Sequence, residues 1–339
     1  MRLAHLHVSD QKNKGDVAIV LAVQQLLRQQ FPDCKIVDFP VEFLRDGDDA
    51  KILEQINTCQ LIIIGGGGIF YRWFLPFNSA LIQAIKKPIV LYGVGYINEL
   101  GAPELNQFAI NSITELCRKC TLISVRDNKT KKWLTDNNIK ADNIKVVGDP
   151  TIFLAETKPN LQLSDARSII GLNLNYSGWL GFGKYKDNIL SAYNSVINYY
   201  EGLGGRFIYC LHHPDERKII PELSSQTLSV LDLSAGEQKY IYGTMNLLIG
   251  MMLHSAVLSF GSGTPFINVA YDLRNYSFAE YIEHPELIID ANEITPTKLL
   301  ALCQKVLAEE AYYRQDITQR RHLIWQAQKK FLQSIKSLI

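Results

Sequence analysis

Residues 246–281 constrain the fold of this chain more than any other stretch. Their apolar residues predict a strand over 246–249, a helix over 252–260 and a second strand over 266–271. Two strands joined by a crossover helix of this length run parallel to each other. Strand-like and helix-like segments alternate along the rest of the chain as well, which is typical of an α/β protein with parallel sheets.

Three polar side chains follow the apolar segments of this unit. His254 lies at the start of the predicted helix, and Asp272 and Arg274 follow the second strand. Because parallel strands end at one edge of a sheet, we expect these residues at that edge, where open α/β sheets bind ligands. A helix N-terminus, an imidazole and a guanidinium together favour an anion. A lone histidine is more often structural, but the position of His254 beside Arg274 favours a functional role.

The length and the segment pattern predict two domains. A chain of 339 residues is too long for one ordinary hydrophobic core. The segment 155–168 is polar and aperiodic, and the strand–helix alternation restarts after it. We therefore predict an N-terminal Rossmann-like domain over 1–157, a C-terminal one over 168–310 and a terminal helix over 311–339. Two doubly wound domains with a cleft between them match the layout of the glycosyltransferase B fold.

The charge balance and the cysteines narrow the choice of partners and compartment. Lys plus Arg number 35 and Asp plus Glu number 34, so no basic excess favours nucleic acid as a partner. Residues 1–10 begin directly as a predicted strand and lack the apolar core of a signal peptide, and no uninterrupted apolar run is long enough to span a bilayer. Among six cysteines only Cys117 and Cys120 are closely spaced, and no second pair completes a zinc site. We expect reduced thiols, a cytoplasmic protein and no bound metal.

Other candidate residues lie in glycine-rich or polar loops at predicted strand ends. The glycines at 65–68 let backbone N–H groups approach a phosphate or a sugar, and a tight strand-to-helix turn explains them equally well. Asn13 and Asp16 precede an amphipathic helix predicted to begin at Val17, and Asp16 is best interpreted as its N-cap. Asp149 lies in a Gly-Asp-Pro sequence whose composition is that of a turn.

Two further loops contain side chains that can bind anions or hydroxyl groups. Arg126 ends an apolar strand, where it can clamp a carboxylate or phosphate, or form a structural ion pair while Asp127 caps the next helix. We favour the clamp. His212 and His213 follow another strand, and adjacent histidines point in different directions, so substrate hydrogen bonding fits His213 better than zinc.

Several short motifs together resemble those of the polysaccharide pyruvyl transferases. Each motif alone is weak, but their order and spacing along nearly the whole chain make the resemblance specific. The motifs are N-x-G-D at 13–16, GGGGIF at 65–70, GVGYI at 93–97, SVRDNKT at 124–130, VGDP at 147–150 and LHS…GTPF…YDLR over 253–274.

This resemblance implies a glycosyltransferase-B-like fold with phosphoenolpyruvate as the donor and no cofactor. The N-terminal domain would bind the acceptor and part of the donor, and the C-terminal domain would bind the rest of the donor. By position, Arg126, His254 and Arg274 would hold the donor. The family commonly has arginine where this chain has Met252, so another cation would have to replace it. The candidates are Lys184, Lys186 and Arg72.

The implied reaction adds a pyruvyl group as a cyclic ketal to two hydroxyls of a sugar and releases phosphate. His254 would protonate the methylene carbon of the donor or bind its phosphate. Asp16, Asp149 or Asp272 would deprotonate a sugar hydroxyl. Contacts with the saccharide acceptor are expected from Asn13, Gly66, Gly67, Tyr71, Trp179 and His213.

Two other functions are compatible with the same residues. A glycosyltransferase with a nucleotide-sugar donor can use this fold, and a non-catalytic saccharide-binding relative could have lost the chemistry with the change at Met252. The terminal helix is basic and amphipathic, so it could lie on the inner face of a membrane beside a lipid-linked acceptor, although packing against the domains explains it better. Nothing in the sequence indicates the oligomeric state.

Overall fold

The computed structural model describes residues 1–47, 50–99, 102–161, 168–175 and 182–339. The chain divides into two compact units. The first unit comprises Met1–Asp10, Ile19–Pro150 and Leu323–Ile339, and the second comprises Gln11–Ala18 and Thr151–His322. The chain therefore passes from one unit to the other four times.

A parallel six-stranded sheet forms the centre of the first unit. Its strands are β1 (Arg2–His7), β2 (Lys35–Pro40), β3 (Leu61–Phe70), β4 (Ile89–Tyr96), β5 (Leu122–Val125) and β6 (Ile144–Val146). They are ordered β2-β1-β3-β4-β5-β6. β3 and β4 are buried along almost their whole length, as expected of parallel strands covered by helices on both faces.

A second parallel sheet of six strands forms the centre of the second unit. Its strands are β7 (Ile169–Leu172), β8 (Arg206–Cys210), β9 (Ser229–Leu231), β10 (Leu247–Gly250), β11 (Phe266–Ala270) and β12 (Ile288–Asp290). They are ordered β12-β11-β10-β7-β8-β9, so the direction of winding reverses between β7 and β10. This is the strand order of a dinucleotide-binding Rossmann sheet. The predicted fold of two doubly wound, Rossmann-like domains is confirmed.

Helices connect the strands of both sheets. The described α-helices are α1 (Lys14–Gln30), α2 (Phe43–Asp46), α3 (Ala50–Asn57), α4 (Ser79–Ala84), α5 (Gln107–Lys119), α6 (Asn128–Asp136), α7 (Phe182–Gly202), α8 (Ala235–Gly243), α9 (Leu253–Ser262), α10 (Leu273–Tyr281), α11 (Pro296–Ala308) and α12 (Glu310–Lys336). Two helices, α1 and α12, begin in the second unit and end in the first. α1 passes into the first unit after residue 18, and α12 does so after residue 322.

The strand–helix–strand unit predicted over 246–281 is confirmed as β10, α9 and β11. β10 and β11 pair in parallel. α9 ends at Gly263, whose φ of 85° lies in the left-handed region that favours glycine. His254 therefore lies at the start of a helix, and Asp272 lies at the N-terminus of the next one.

The glycines at 65–68 do not form a loop, and their interpretation as a strand-to-helix turn is wrong. They lie within β3, where Gly66 and Gly67 have φ values of 77° and 83°. A Cβ at Gly67 would lie 2.7 Å from Cδ1 of Ile19 in α1, and one at Gly66 would overlap the same side chain. These glycines thus let α1 pack unusually close to the sheet.

The interpretation of Asp16 as an N-cap is wrong as well. α1 begins at Lys14 rather than at Val17, which places Asp16 in the first helical turn. The side-chain oxygen of Asn13 accepts the hydrogen bond from the Gly15 N–H at 3.0 Å, so Asn13 occupies the capping position. Asp16 still complements the positive end of the helix dipole.

The last helix packs with its apolar side chains into the first unit. Phe331 stacks on Tyr92 with ring centroids 5.8 Å apart, and Leu332 and Ile335 are buried. The Tyr92 hydroxyl donates to the side chain of Gln328 at 2.6 Å. Every helix in the described ranges is too short or too polar to cross a membrane.

The domain ranges 1–157, 168–310 and 311–339 stay predictions. The compact units resemble them in the middle of the chain and differ near its two ends. There, residues 11–18 group with the second unit and residues 323–339 with the first. Part of the predicted linker, 162–167, lies outside the described residues.

Candidate functional site

The reversal in strand order defines a candidate crevice at the carboxyl edge of the second sheet. Open α/β sheets bind ligands between the segments that follow the two strands at such a reversal. Asn173 follows β7, and Met252 follows β10. The side-chain oxygen of Asn173 accepts a hydrogen bond from the Met252 N–H at 2.9 Å, which ties the two segments together.

His254 lies at this crevice as the second residue of α9, and it is half-buried. Gly15 packs against its ring, because a Cβ at Gly15 would lie 2.7 Å from Cγ of His254. Only a residue without a side chain leaves the imidazole in this position. Met252 is the N-cap of α9 and, in the described part of the chain, makes no side-chain hydrogen bond to the first turn. The positive end of the helix is therefore not neutralised by its capping residue.

The segment 11–18 is attached to the second sheet by backbone and side-chain contacts. The Lys14 N–H donates to the carbonyl oxygen of His212 at 2.8 Å. The Lys14 ammonium lies 3.6 Å from the carboxylate of Asp232. These contacts bring Gly15 to His254 although the two residues are far apart in the sequence.

Glu216 organises the turn that follows β8. Its carboxylate accepts hydrogen bonds from the N–H groups of His212 at 3.1 Å and His213 at 3.0 Å. Burial raises the pKa of Glu216 to about 8. Nδ1 of His213 accepts a hydrogen bond from the Asp215 N–H at 3.2 Å and so caps the following turn. A contact between His213 and substrate stays a prediction.

His212 has a structural role that the sequence does not reveal. It is fully buried, and its Nε2 lies 2.7 Å from the Tyr242 hydroxyl. Burial, followed by the charges of His254 and Lys14, lowers the pKa of His212 to about 3. A neutral ring therefore supports the backbone carbonyl to which the segment 11–18 is bound.

Arg274 and Asp272 form a tightly linked pair at the start of α10. Asp272 is the N-cap, and its carboxylate accepts from the Arg274 N–H at 2.7 Å. The other carboxylate oxygen accepts from Nε of Arg274 at 2.7 Å and also from Nη2. The Arg274 side chain keeps about a fifth of its surface exposed. Both oxygens of Asp272 are thus already hydrogen-bonded, whereas the guanidinium is partly open to a ligand.

Arg126 lies at the carboxyl edge of the first sheet and is only 5% exposed. Its guanidinium lies 3.5 Å from the carboxylate of Asp127 and 3.7 Å from that of Asp149. It rests on Gly95, where a Cβ would lie 2.7 Å from Cζ of Arg126. Asp127 also caps α6 by accepting from the Thr130 N–H at 2.6 Å, as the less favoured interpretation, a structural ion pair, expects.

The two interpretations of Arg126 are therefore not exclusive. Its Nε and Nη1 face carboxylates, but its buried Nη2 has no hydrogen-bond partner within the described residues. Buried guanidinium nitrogens without a partner are rare in folded proteins. Donor binding by Arg126 stays a prediction that this nitrogen supports.

The predicted acceptor contacts fall in several places. Tyr71 donates its hydroxyl to Glu99 at 2.6 Å and accepts from the indole of Trp73, which is 58% exposed. Exposed aromatic faces of this kind can stack on sugars. Gly66 and Gly67 are covered by Ile19, as described above. Trp179 lies outside the described residues.

The three cations considered as replacements at Met252 have different surroundings. Lys186 pairs with Glu222 at 2.5 Å, and the Lys184 ammonium lies 5.2 Å from the centre of the Tyr185 ring. Arg72 donates to the carbonyl oxygen of Pro103 at 3.4 Å and belongs to the first unit. Only the two lysines share a compact unit with His254.

A cavity of about 520 Å³ opens at the amino edge of the first sheet, opposite the carboxyl edge where Arg126 lies. Cys117 and Cys120 line it, and burial raises the pKa of Cys117 to about 12. All six cysteines are free thiols. This cavity contains none of the predicted site residues.

Sequence comparison identifies one family. The model of the family described as polysaccharide pyruvyl transferase matches residues 13–272, which is most of the 339-residue chain. The match includes Asn13 at one end and Asp272 at the other. No curated protein matches the chain in sequence.

Solved structures of sugar-nucleotide proteins share the fold at low sequence identity. A protein described as a UDP-N-acetylglucosamine 2-epimerase from Listeria monocytogenes has a TM-score of 0.67 at 12% identity, covering 99% of this chain and 96% of its own. The UDP-GlcNAc 2-epimerase from Neisseria meningitidis bound to UDP-GlcNAc has a TM-score of 0.60 at 12% identity, with 99% and 100% covered. Anabaena HepE in complex with UDP and glucose also has a TM-score of 0.60 at 12% identity, with 99% and 100% covered. These similarities confirm the glycosyltransferase B fold.

Proposed function

This chain belongs to the polysaccharide pyruvyl transferase family, and from that premise we propose that it transfers a pyruvyl group from phosphoenolpyruvate to a sugar. The product is a cyclic ketal on two hydroxyls of a polysaccharide or of its lipid-linked precursor, and phosphate is released. The donor needs no cofactor, because its own phosphate is the leaving group.

The contact between Gly15 and His254 is the observation that most supports this proposal. It fixes an imidazole at the start of α9, beside a helix end without a capping side chain. Arg274 adds a partly exposed guanidinium on the neighbouring segment. Phosphoenolpyruvate has a phosphate and a carboxylate, and such a set of donors suits a small molecule with two anionic groups.

The proposed reaction has four steps. A proton is added to the methylene carbon of phosphoenolpyruvate, which becomes a methyl group and leaves a cationic carbon bonded to the phosphate oxygen. The first sugar hydroxyl attacks that carbon and loses its proton to a base. The carbon–oxygen bond to phosphate breaks, and the second sugar hydroxyl attacks and loses its proton to close the ketal. We assign the first proton transfer, or phosphate binding, to His254.

Asp16 is our first choice for the base, ahead of Asp149 and Asp272. Asp16 is half-buried and adjoins Gly15, which touches His254. Asp272 has both oxygens engaged by Arg274. Asp149 is 2% exposed and lies beside the guanidinium of Arg126. The choice of Asp16 thus rests on its position next to Gly15, which touches His254.

Incubation with phosphoenolpyruvate and a panel of acceptor saccharides tests the proposal. We expect phosphate release and a mass increase of the acceptor by one pyruvyl group. His254→Ala should lower turnover by about 10²-fold or more while the protein stays folded, since general acid catalysis typically contributes about 10²–10⁴. Arg274→Ala should lower turnover at limiting phosphoenolpyruvate by about tenfold or more, since a hydrogen bond to a charged group contributes about 1.5–3 kcal/mol.

Matched variants at exposed positions control for nonspecific loss. His322→Ala and Arg217→Ala remove an exposed histidine and a largely exposed arginine of the second unit. Both should keep normal turnover. Near-normal turnover of the two site variants would refute the assignment of this site.

The same incubation separates the alternative functions. UDP is bound to the HepE structure, so a nucleotide-sugar glycosyltransferase is the second candidate. Release of UDP from a sugar nucleotide, with no phosphate release from phosphoenolpyruvate, would favour it. Binding of acceptor saccharides without turnover of either donor would favour a non-catalytic saccharide-binding protein.

A further inference from the structure

A second cluster of polar side chains lies within the first unit. His5 and His7 are two residues apart on β1 and therefore project from the same face of the sheet. Asp38 pairs in register with His5 on β2. One ring nitrogen of each histidine and one carboxylate oxygen of Asp38 lie within 4.8 Å of one another. His5 and His7 are buried but Asp38 is exposed, so solvent reaches the cluster beside Asp38.

Backbone carbonyls determine which nitrogen of each ring is protonated. Nε2 of His5 lies 3.0 Å from the Gly65 oxygen, and Nδ1 of His7 lies 2.8 Å from the Val8 oxygen. A carbonyl oxygen only accepts hydrogen bonds, so these two nitrogens bear the hydrogens. In the neutral rings, Nδ1 of His5 and Nε2 of His7 then have lone pairs. Metal-binding histidines are oriented by the same kind of outer hydrogen bond.

Among the described residues, no hydrogen-bond donor faces the two nitrogens with lone pairs, Nδ1 of His5 and Nε2 of His7. Nε2 of His7 lies 3.3 Å from Oδ1 of Asp38, which is itself an acceptor. Nδ1 of His5 is buried and makes no hydrogen bond to any described residue. Gln24 donates to Oδ1 of Asp38 at 2.5 Å and so orients the carboxylate. Two acceptors at such a distance repel each other unless a cation lies between them.

We propose that His5, His7 and Asp38 bind a divalent transition-metal ion of the zinc type. Two ligands of a tetrahedral zinc ion, each at about 2.0–2.2 Å from the metal, lie about 3.3 Å apart. The separation of Nε2 and Oδ1 is 3.3 Å. The other pairs of ligand atoms lie within 4.8 Å of each other, so each closes to about 3.3 Å by a relative movement of at most about 1.5 Å.

The donor set excludes the common hard cations. Calcium and magnesium prefer oxygen ligands, whereas two imidazoles and one carboxylate suit zinc and its neighbours. Three protein ligands leave a fourth position for water.

The ordinary alternative is an ion pair between a protonated His7 and Asp38, with no metal. A measurement of metal binding distinguishes the metal site from the metal-free ion pair. The protein, freed of any histidine tag and stripped with a chelator, is titrated with Zn²⁺ by calorimetry and with Co²⁺ by visible absorption. We expect one ion per chain and the absorption bands of four-coordinate Co²⁺.

Variants assign the ion to this cluster. Asp38→Asn and His7→Gln should weaken Zn²⁺ binding by more than about tenfold, since even outer hydrogen-bond partners contribute about 10–100-fold to metal affinity. Asp33→Asn is the matched control, because Asp33 is an exposed aspartate just before β2 and outside the cluster. The control should bind Zn²⁺ as the unchanged protein does.

Two results would overturn the proposal. One is the absence of stoichiometric Zn²⁺ binding, and the other is equal binding by Asp38→Asn and Asp33→Asn. If the variants at the cluster do not fold, imidazole ¹⁵N spectra of the unchanged protein decide. Zn²⁺ should shift Nδ1 of His5 and Nε2 of His7 but not the signals of His322, and unmoved signals at both nitrogens would contradict metal binding there.

Discussion

At the scale of the residue, the contact between Gly15 and His254 gives the first prediction. Gly15→Ala places a methyl group 2.7 Å from Cγ of His254, so the imidazole must move. We expect pyruvyl transfer to fall by about 10²-fold, because a displacement of about 1 Å in a catalytic group can cost that much. Phosphate release from phosphoenolpyruvate measures the effect.

Gly202→Ala is the control for this change. Among the described residues, and apart from its chain neighbours and the backbone of its own helix, nothing lies within 4 Å of a Cβ at Gly202, which is an exposed position in the same unit. Its activity should match that of the unchanged protein. Equal activity of Gly15→Ala would show that the position of His254 does not matter for turnover.

A gain of function is expected at Met252. Met252→Arg restores the cation that the family commonly has there, at the half-buried N-cap of α9. A hydrogen bond to a charged group contributes about 1.5–3 kcal/mol, so the KM for phosphoenolpyruvate should fall by at least about tenfold. Steady-state kinetics with Met252→Gln as the neutral control tests this. An unchanged KM in Met252→Arg would mean that another group already fills the role.

The sequence pattern alone was sufficient to predict where some site residues lie, but it was insufficient for others. His254 and Asp127 follow from where helices begin after buried strands, and the structure places both at helix starts. The contact of Gly15 with His254 joins distant segments, and single-sequence periodicity contains no information on such pairs. The role of His212 depends on its backbone carbonyl, which every residue type possesses.

At the scale of the element, the packing of α1 on β3 gives a stability prediction. Gly66→Ala introduces a methyl group into the space of Ile19 at a position with φ of 77°. Overpacking typically costs about 1–3 kcal/mol, and the backbone strain adds to it. We expect the free energy of unfolding to fall by about 2 kcal/mol or more in chemical denaturation.

A double-mutant cycle with Ile19→Ala tests the cause. Ile19→Ala alone leaves a cavity and destabilises, but in the presence of Gly66→Ala it removes the overlap. The two effects should therefore be non-additive by about 1 kcal/mol or more. Additive effects would show that Ile19 does not limit the space at Gly66.

The apolar parts of the strands were easier to predict than the glycine segment within β3. Apolar runs such as Leu122–Val125 give strand bounds directly, because buried parallel strands are continuously apolar. Four successive glycines suggest a loop by composition, yet they lie within β3. What keeps them in the strand is the close approach of α1, which is a tertiary effect that overrides local preference. α1 itself starts earlier than predicted, since Lys14–Asp16 has no apolar periodicity.

At the scale of the whole molecule, a buried histidine makes stability depend on pH. His212 has a pKa of about 3 in the folded protein against 6.5 when unfolded. Between these values the unfolded chain binds the extra proton, so the free energy of unfolding rises with pH from about 3 to 6.5 and falls on acidification. The slope from this residue is at most about 1.4 kcal/mol per pH unit.

Denaturation at a series of pH values between 4 and 7 measures this slope. His212→Gln retains a hydrogen-bonding group for Tyr242 but cannot titrate, so its slope should be smaller. His322→Gln, at an exposed position, should leave the slope unchanged. The prediction fails if His212→Gln has the slope of the unchanged protein.

Two domains of the same class could be predicted from the length of the chain and the repeated alternation of strands and helices. Which residues belong to each compact unit could not be predicted in this way. The alternation restarts near residue 169, where β7 begins. The membership of 11–18 in the second unit rests on a few long-range contacts, such as that of Lys14 with His212. Contacts of this kind are invisible to patterns that extend over one helix or strand.

Because the chain passes between the units four times, recombination between two related genes can separate segments that pack together in the protein. A single crossover between two genes near codon 150 would exchange the second sheet, but residues 11–18, which pack against that sheet, would still come from the original gene. The second sheet from one parent would then pack against Gly15 from the other parent. Hybrids within the family should therefore survive only when the beginning of the gene and its distal half descend from the same parent.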